Sequence, residues 1–213
     1  MSFDESLLPP EAAAYIERHV APPFPIIERL EREIRAEGQP AVGRQTGGTL
    51  RAIALAHRAE RILEVGTNVG YSALWLCAGL APKGAFEGIE LDQALAQRAG
   101  ANLHEAVGKR AQVHQGAALD VLPRLPAGQY DLIFLDAVKS EYPKYLDHAL
   151  RLLRPGGLVI ADNMFWSGAA WDDTKQDPDT RGVREYTRRI FAEPRLVSTI
   201  VPVEDGLAVS VLK

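Results

Sequence analysis

The sequence predicts an α/β fold, a mostly parallel sheet covered by helices on both faces, and three observations carry that prediction. From residue 47 onward, short runs rich in Val, Ile and Leu alternate with segments of helical period. The first run, Arg61-Ile62-Leu63-Glu64-Val65-Gly66, passes through a glycine turn straight into a helical pattern, and later runs end in the carboxylates Glu90, Asp136 and Asp162. Finally, two β-prone runs at the C-terminus are separated by Glu204-Asp205-Gly206, the signature of an antiparallel closing pair. Strands that alternate with helices are joined by crossovers and therefore pair in parallel.

Taken in order, residues up to Gly38 predict two helices broken at Pro22-Pro23-Phe24-Pro25, with Ile26, Ile27, Leu30 and Ile34 at helical spacing in the second. This segment, 1–39, reads as a helical appendage to a core over 40–213, the chain 1–213 forming one domain. A helix from 47 carries Leu50, Ile53 and Ala54 on one face. Strand 61–66, helix 70–79 and strand 85–90 follow, then helix 92–107, in which Leu95, Ala99, Leu103 and Val107 recur four apart. Strand 111–114 leads to a short helix before Pro123, and strand 130–136 to a helix over 143–153 with Leu146, Ala149, Leu150 and Leu153 on one face. Pro155-Gly156-Gly157 stops that helix ahead of strand 158–162, and helix 183–191 precedes the final strands 196–201 and 207–212.

Composition narrows the function. With 213 residues, 46% hydrophobic, 24% charged and a net charge of −4, the chain has a globular make-up and lacks the basic excess of a protein that lives on phosphate contacts. One cysteine, Cys77, rules out an internal disulfide and a thiolate zinc cluster, and the five histidines are scattered. No apolar run reaches the roughly 18 residues of a membrane span. The acidic start MSFDESLLPPEAAAY does not read as an export signal, so a cytoplasmic location is expected.

Two sets of residues carry chemistry. In Glu64-Val65-Gly66-Thr67-Asn68-Val69-Gly70 the turn after the first strand lets backbone approach a ligand. Asn68 occupies the second glycine of a dinucleotide fingerprint, which counts against a pyrophosphate there; a ligand carboxylate could instead meet the helix start near Gly70 and the Ser72 hydroxyl. Glu90 stands about 20 residues beyond the turn, where open α/β sheets place a carboxylate on ribose hydroxyls. Either feature alone is an ordinary turn or a solvated strand end; in this order they point to an adenosine-containing ligand. The second set is Asp136 with Asp162 and Asn163, each just past an apolar strand. On strands about 4.8 Å apart they would form an all-oxygen cluster of two negative charges, which suits Mg²⁺ or Mn²⁺.

The stretches RILEVGTNVGYSALWL (61–76), GIELD (88–92), QGAALD (115–120), YDLIFLDAVKSEY (130–142), PGGLVIADNMFWSG (155–168) and VPVEDGLAVSV (201–211) together resemble the cation-dependent, S-adenosylmethionine-dependent class I O-methyltransferases of the catechol and caffeoyl-CoA type. The resemblance covers about residues 40–213. It implies a Rossmann-like sheet of about seven strands with an antiparallel C-terminal strand, and a homodimer. It implies cofactor contacts at Glu64, Gly66, Ser72, Glu90, Ala117 and Asp136, with Glu90 on the ribose and Ala117 beside the adenine. It implies metal ligands at Asp136, Asp162 and Asn163 for Mg²⁺, or Mn²⁺ or Ca²⁺, and a general base at Lys139 with Tyr142 in its family place. The implied acceptor is a small catechol-like or caffeoyl-CoA-like molecule. Val138 stands where relatives often carry Asp or Trp, and Ala41-Val42-Gly43-Arg44-Gln45 lacks their methionine over the cofactor.

Other classes explain less. A nicotinamide-dependent dehydrogenase would use the glycine turn and Glu90 and leave the oxygen cluster idle, as would a non-catalytic adenosine-binding module. An amino-directed nucleic-acid methyltransferase calls for a strand end such as Asp-Pro-Pro-Tyr, against Asp136-Ala137-Val138-Lys139 here. A tRNA hydroxyuridine O-methyltransferase stays open as an alternative, because Arg181, Arg184, Arg188 and Arg189 could meet phosphates, although such a run is more often a solvated face.

Overall fold

The computed structural model describes residues 9–213; the reading of the first eight residues lies outside the described ones. The elements are α1 (Pro10–His19), α2 (Pro25–Glu37), α3 (Arg44–His57), β1 (Arg61–Val65), α4 (Tyr71–Gly79), β2 (Ala85–Glu90), α5 (Gln93–Val107), β3 (Ala111–Gln115), α6 (Ala118–Val121), β4 (Tyr130–Leu135), α7 (Tyr142–Leu152), β5 (Leu153–Ala161), α8 (Pro178–Ala192), β6 (Leu196–Val201) and β7 (Leu207–Leu212). The strands form one sheet in the order β3-β2-β1-β4-β5-β7-β6. The first five run parallel, and β7 lies antiparallel between β5 and β6. The strand order turns back between β1 and β4, the place where open α/β sheets leave a crevice beyond their carboxyl ends.

The central strands are apolar on both sides because both faces are covered. Ile62, Phe86, Leu132, Phe134, Leu158 and Ile160 pack in one cluster with α2, α3 and α4. Leu63, Val65, Ile133, Leu135, Val159 and Ala161 pack in the other with α7 and α8. Ile26, Ile27, Leu30 and Ile34 of α2 are buried in the first cluster, whereas α1 buries no residue.

Three starts differ from the sequence reading by more than one residue, each for a physical reason. Helix α8 begins at Pro178 rather than 183, because Asp177 accepts from the Thr180 amide at 3.0 Å and Pro178 occupies the first turn. Strand β5 begins at Leu153, ahead of the Pro-Gly-Gly stop: Leu153 pairs with Tyr130, and the ladder resumes at Leu158 with Leu132 after an irregularity. Helix α3 starts at Arg44, three residues early, and its N-terminal cap comes from a distant part of the chain.

Asp131 secures the base of this sheet. Its Oδ2 accepts from the amides of Glu60 at 2.7 Å and Arg61 at 2.6 Å, and its Oδ1 pairs with the Arg154 guanidinium, so one buried carboxylate ties together the starts of β1 and β4 and the irregular part of β5. Asp131→Ala leaves two amides and a guanidinium without their acceptor. It is expected to lower stability by about 2–4 kcal/mol in urea unfolding.

Candidate active site

The register of the sheet builds the site. Val65 pairs with Leu135 and Leu135 with Ala161, so the residues that follow, Gly66, Asp136 and Asp162, leave three neighbouring strands at one level. A cavity of about 410 Å³ opens there. It is lined by Gly66, Asn68 and Ser72 from the β1 turn and α4, by Asp136, Val138 and Lys139 after β4, and by Asp162, Asn163 and Trp166 after β5. Residues 40–43, Asp179, Glu204 and Asp205 complete its walls.

Gly66 has φ +93, and a Cβ there would lie 2.0 Å from the Asp136 carbonyl oxygen, so only glycine lets the turns after β1 and β4 close together. Asn68 also takes a left-handed conformation, φ +48, which asparagine tolerates. The turn therefore keeps its shape without the second glycine. The Asn68 amide donates to Glu90 Oε2 at 2.7 Å, and the Asp92 amide to Glu90 Oε1 at 2.9 Å. Glu90 thus braces the glycine turn from the next strand and keeps lone pairs on both oxygens.

Not every expected residue lines the cavity. Glu64, Glu90 and Ala117 lie outside its wall, whereas Gly66, Ser72, Asp136, Lys139, Asp162 and Asn163 form part of it. Glu64, at the end of β1, is fully buried, and neither carboxyl oxygen meets a hydrogen-bond partner among the described residues. Burial pushes its pKa up to about 8; the neighbouring Ser72 and Thr67 hydroxyls oppose that rise, and the Asp136 and Glu90 charges add to it.

The carboxylate centre is largely buried, with Asp136 the more exposed of its two aspartates. Asp162 is 5% exposed and Asn163 3%. Burial, and then the charge of Asp136, holds the Asp162 carboxyl well above its ordinary range, against the pull of Lys139. Lys139, 6% exposed, donates to Asp136 Oδ1 at 2.8 Å and to the Tyr142 hydroxyl at 2.9 Å. The Tyr142 hydroxyl in turn donates to the Leu135 carbonyl at 2.9 Å, and its phenol is held protonated by burial beside Asp136 and Asp162. The Lys139 ammonium also lies 5.0 Å from the Tyr142 ring centroid and 5.9 Å from that of Trp166. Asn163 adopts φ +62 and gives its side-chain amide to Asp205 Oδ2 at 3.3 Å.

The four arginines of α8 are engaged within the chain. Arg184 donates to the carbonyls of Ala169 at 2.8 Å, Ala170 at 2.9 Å and Lys175 at 3.0 Å, which staples the loop after β5 to the helix. Arg188 pairs with Glu185, Arg189 with Asp147 and the Pro143 carbonyl, and Arg181 with the Gln176 carbonyl.

The family model described as O-methyltransferase matches residues 24–213. The chain belongs to the O-methyltransferase family. It is 35% identical over 187 residues to a catechol O-methyltransferase of Niastella koreensis, covering 83% of this chain and 85% of that protein. It is 31% identical over 221 residues to a catechol O-methyltransferase of Mycobacterium tuberculosis, covering 100% of both. The crystal structure of an O-methyltransferase from Bacillus cereus in complex with SAH superposes with a TM-score of 0.86 at 33% identity, covering 94% of this chain and 96% of that one. Methyl transfer replaces the dehydrogenase reading, as Asn68 foretold, and the seven-stranded sheet with its antiparallel C-terminal strands is the one expected.

The sequence reading missed Glu204, Asp205, Asp179 and Trp166 as wall residues. The turn Glu204-Asp205-Gly206 was visible only as a strand connection, since nothing local says that it reaches a rim built more than forty residues earlier.

Glu64 allows a thermodynamic check on this family member. Because its folded pKa lies above the ordinary glutamate value near 4.5, the native state holds a proton that the unfolded chain releases, and the fold loses stability as pH rises from about 4.5 to about 8. Glu64→Gln does not titrate. Its melting temperature relative to the native protein is expected to climb between pH 5 and pH 8.5, as read by differential scanning fluorimetry without ligand.

Proposed function

We propose that the protein transfers a methyl group from S-adenosylmethionine to one hydroxyl of a vicinal diphenol, catechol-like or caffeoyl-CoA-like, with a divalent cation held by Asp136, Asp162 and Asn163. The observation that carries this reading is the meeting of those three residues with Lys139 in one cavity, at aligned ends of neighbouring strands. Support for the donor comes from the Bacillus cereus relative, described in complex with SAH, and for the acceptor from the two relatives named catechol O-methyltransferases.

The donor set suits a hard cation. It offers two carboxylates and a neutral amide oxygen, and burial beside Asp136 holds the Asp162 carboxyl well above its ordinary range despite Lys139, a conflict that a divalent cation would relieve. Mg²⁺, or Mn²⁺ or Ca²⁺, fits oxygen ligands of this kind. A bound divalent cation supplies Lewis acidity, which matters because a phenol with pKa near 10 is only roughly one part in a thousand ionised at neutral pH. Among the chain's own groups, Gly66 and Ser72 line the cavity and would meet the donor. Glu90 retains acceptor capacity for ribose hydroxyls, and Glu64 and Ala117, outside the cavity wall, are the further donor contacts that the family likeness implies. As the neutral amine, the form that a neighbouring divalent cation would favour, Lys139 would take the proton that the acceptor releases, held in place by Asp136 and Tyr142. Trp166 and Val138, which line the same cavity as Lys139, would meet the acceptor.

A tRNA acceptor would draw on the basic residues of α8, where Arg184 is held by the chain's own carbonyls and Arg188 and Arg189 have Glu185 and Asp147 beside them, which offsets the positive charge of that face. That favours the small molecule. No helix among the described residues is long and apolar enough to cross a membrane, and the same reading carries a cytoplasmic homodimer.

Initial rates with labelled S-adenosylmethionine test the proposal. A catechol is expected to be methylated, EDTA to abolish turnover, and Mg²⁺ to restore it. The same ring with one hydroxyl removed should lose on the order of 10²-fold in kcat/KM, because it cannot chelate. Equal rates on both rings, or full activity in EDTA, would remove the cation from the mechanism. Lys139→Ala should lower kcat by about 10²- to 10⁴-fold, a loss that shrinks as pH rises and hydroxide replaces the base. A loss independent of pH would assign Lys139 to holding the loop.

A further inference from the structure

We propose that Glu204 is a positioning residue that sets the wall over residues 40–43 against the glycine turn, and so governs affinity for the methyl donor. The inference rests on the reading that this cavity takes S-adenosylmethionine. It begins from an unusual cap. Gly43, at the N-cap of α3, has no side chain to satisfy the first amides of the helix. Glu204, 161 residues away, supplies the missing acceptor: its Oε2 receives the Gly43 amide at 2.8 Å and the Thr46 hydroxyl at 2.8 Å, and its Oε1 receives the Thr46 amide at 3.4 Å. A carboxylate is favoured there by the positive end of the helix as well as by the hydrogen bonds.

The seat is specific on both sides. A Cβ on Gly43 would lie 2.3 Å from Glu204 Oε1, so the glycine leaves room for the carboxylate. Thr46 is fully buried, and Glu204 holds a left-handed backbone, φ +48, to reach it. At the other end of the same loop, the Asn68 side-chain amide donates to the Pro40 carbonyl at 3.3 Å. Residues 40–43 are thereby strung between Glu204 and the turn that carries Gly66, and they line the cavity along their whole length. The next residue holds the opposite wall: Asp205 accepts from the Ser167 amide at 2.9 Å and from the Asn163 side chain at 3.3 Å. One dipeptide in the β6–β7 turn thus carries both walls, and Glu204 carries the one beside the glycine turn.

The test measures binding of S-adenosylhomocysteine by calorimetry, with steady-state kinetics alongside. Glu204→Ala is expected to weaken S-adenosylhomocysteine by about tenfold and raise the KM for the donor similarly, with the acceptor KM and kcat changed far less. Glu204→Gln, which keeps one acceptor oxygen, should recover most of the affinity. Gly43→Ala should weaken binding in the native background and add little in the Glu204→Ala background, because both changes empty the same seat. If Glu204→Ala is too unstable to assay, Thr46→Val, which removes one of three donors, should give a smaller loss of the same kind. Affinity within twofold of native in Glu204→Ala, or additive losses in the Gly43 pair, overturns the assignment and leaves the donor reading standing. A native protein that does not bind S-adenosylhomocysteine overturns both.

Discussion

Two carboxylates forced side by side are the constraint around which the rest of this molecule is arranged. The pairing of β4 with β5 puts Asp136 and Asp162 at one level, and burial denies Asp162 the water that would screen it. Like charges this close are relieved by protonation of one carboxyl or by a cation beside them. The chain provides one in Lys139 and then fixes that ammonium with the Tyr142 hydroxyl, which is itself tied to the Leu135 carbonyl. Arg184, by contrast, is spent on the loop that presents Trp166. Arg184 thus holds shape, while Lys139 is the only basic side chain among the described residues that line the cavity.

The same constraint explains why the carboxylates could be found in the sequence. An apolar run that ends in Asp marks a strand leaving the core, and two such runs imply a common rim as soon as the sheet is parallel, which the alternation of periods already demanded. Asp136, Asp162 and Asn163 needed no tertiary information beyond adjacency of their strands. Lys139 and the functional assignment needed the resemblance, because a lysine three residues past Asp136 has no chemical signature of its own.

What stayed hidden depends on long-range contact. The start of α3 is set by a carboxylate 161 residues away, so no local rule could place it at Arg44. The early start of β5 depends on Leu153 pairing with Tyr130, which overrides the breaker Pro155-Gly156-Gly157 at the price of an irregular ladder. The start of α8 is the opposite case. Asp177-Pro178 is a plain local signal, passed over because Val183 is where the apolar face begins and the preceding turn has none.

The antiparallel strand has the largest consequence for the site. In a parallel sheet every strand delivers its C-terminal end to the binding rim, and loops that enter strands lie at the far side. Strand β7 runs the other way, with Ala208 opposite Ala161, so it delivers its beginning to the rim, and the turn that precedes it, Glu204-Asp205-Gly206, arrives beside Asn163. A closing strand in parallel orientation would leave that turn at the base of the sheet with Asp131 and Glu60. Reversing one strand near the sheet's edge therefore gives the cavity two walls that five parallel strands alone cannot supply: the loop after β5, bound through Asp205, and the start of α3, bound through Glu204. The C-terminal strands complete the site as much as they complete the sheet.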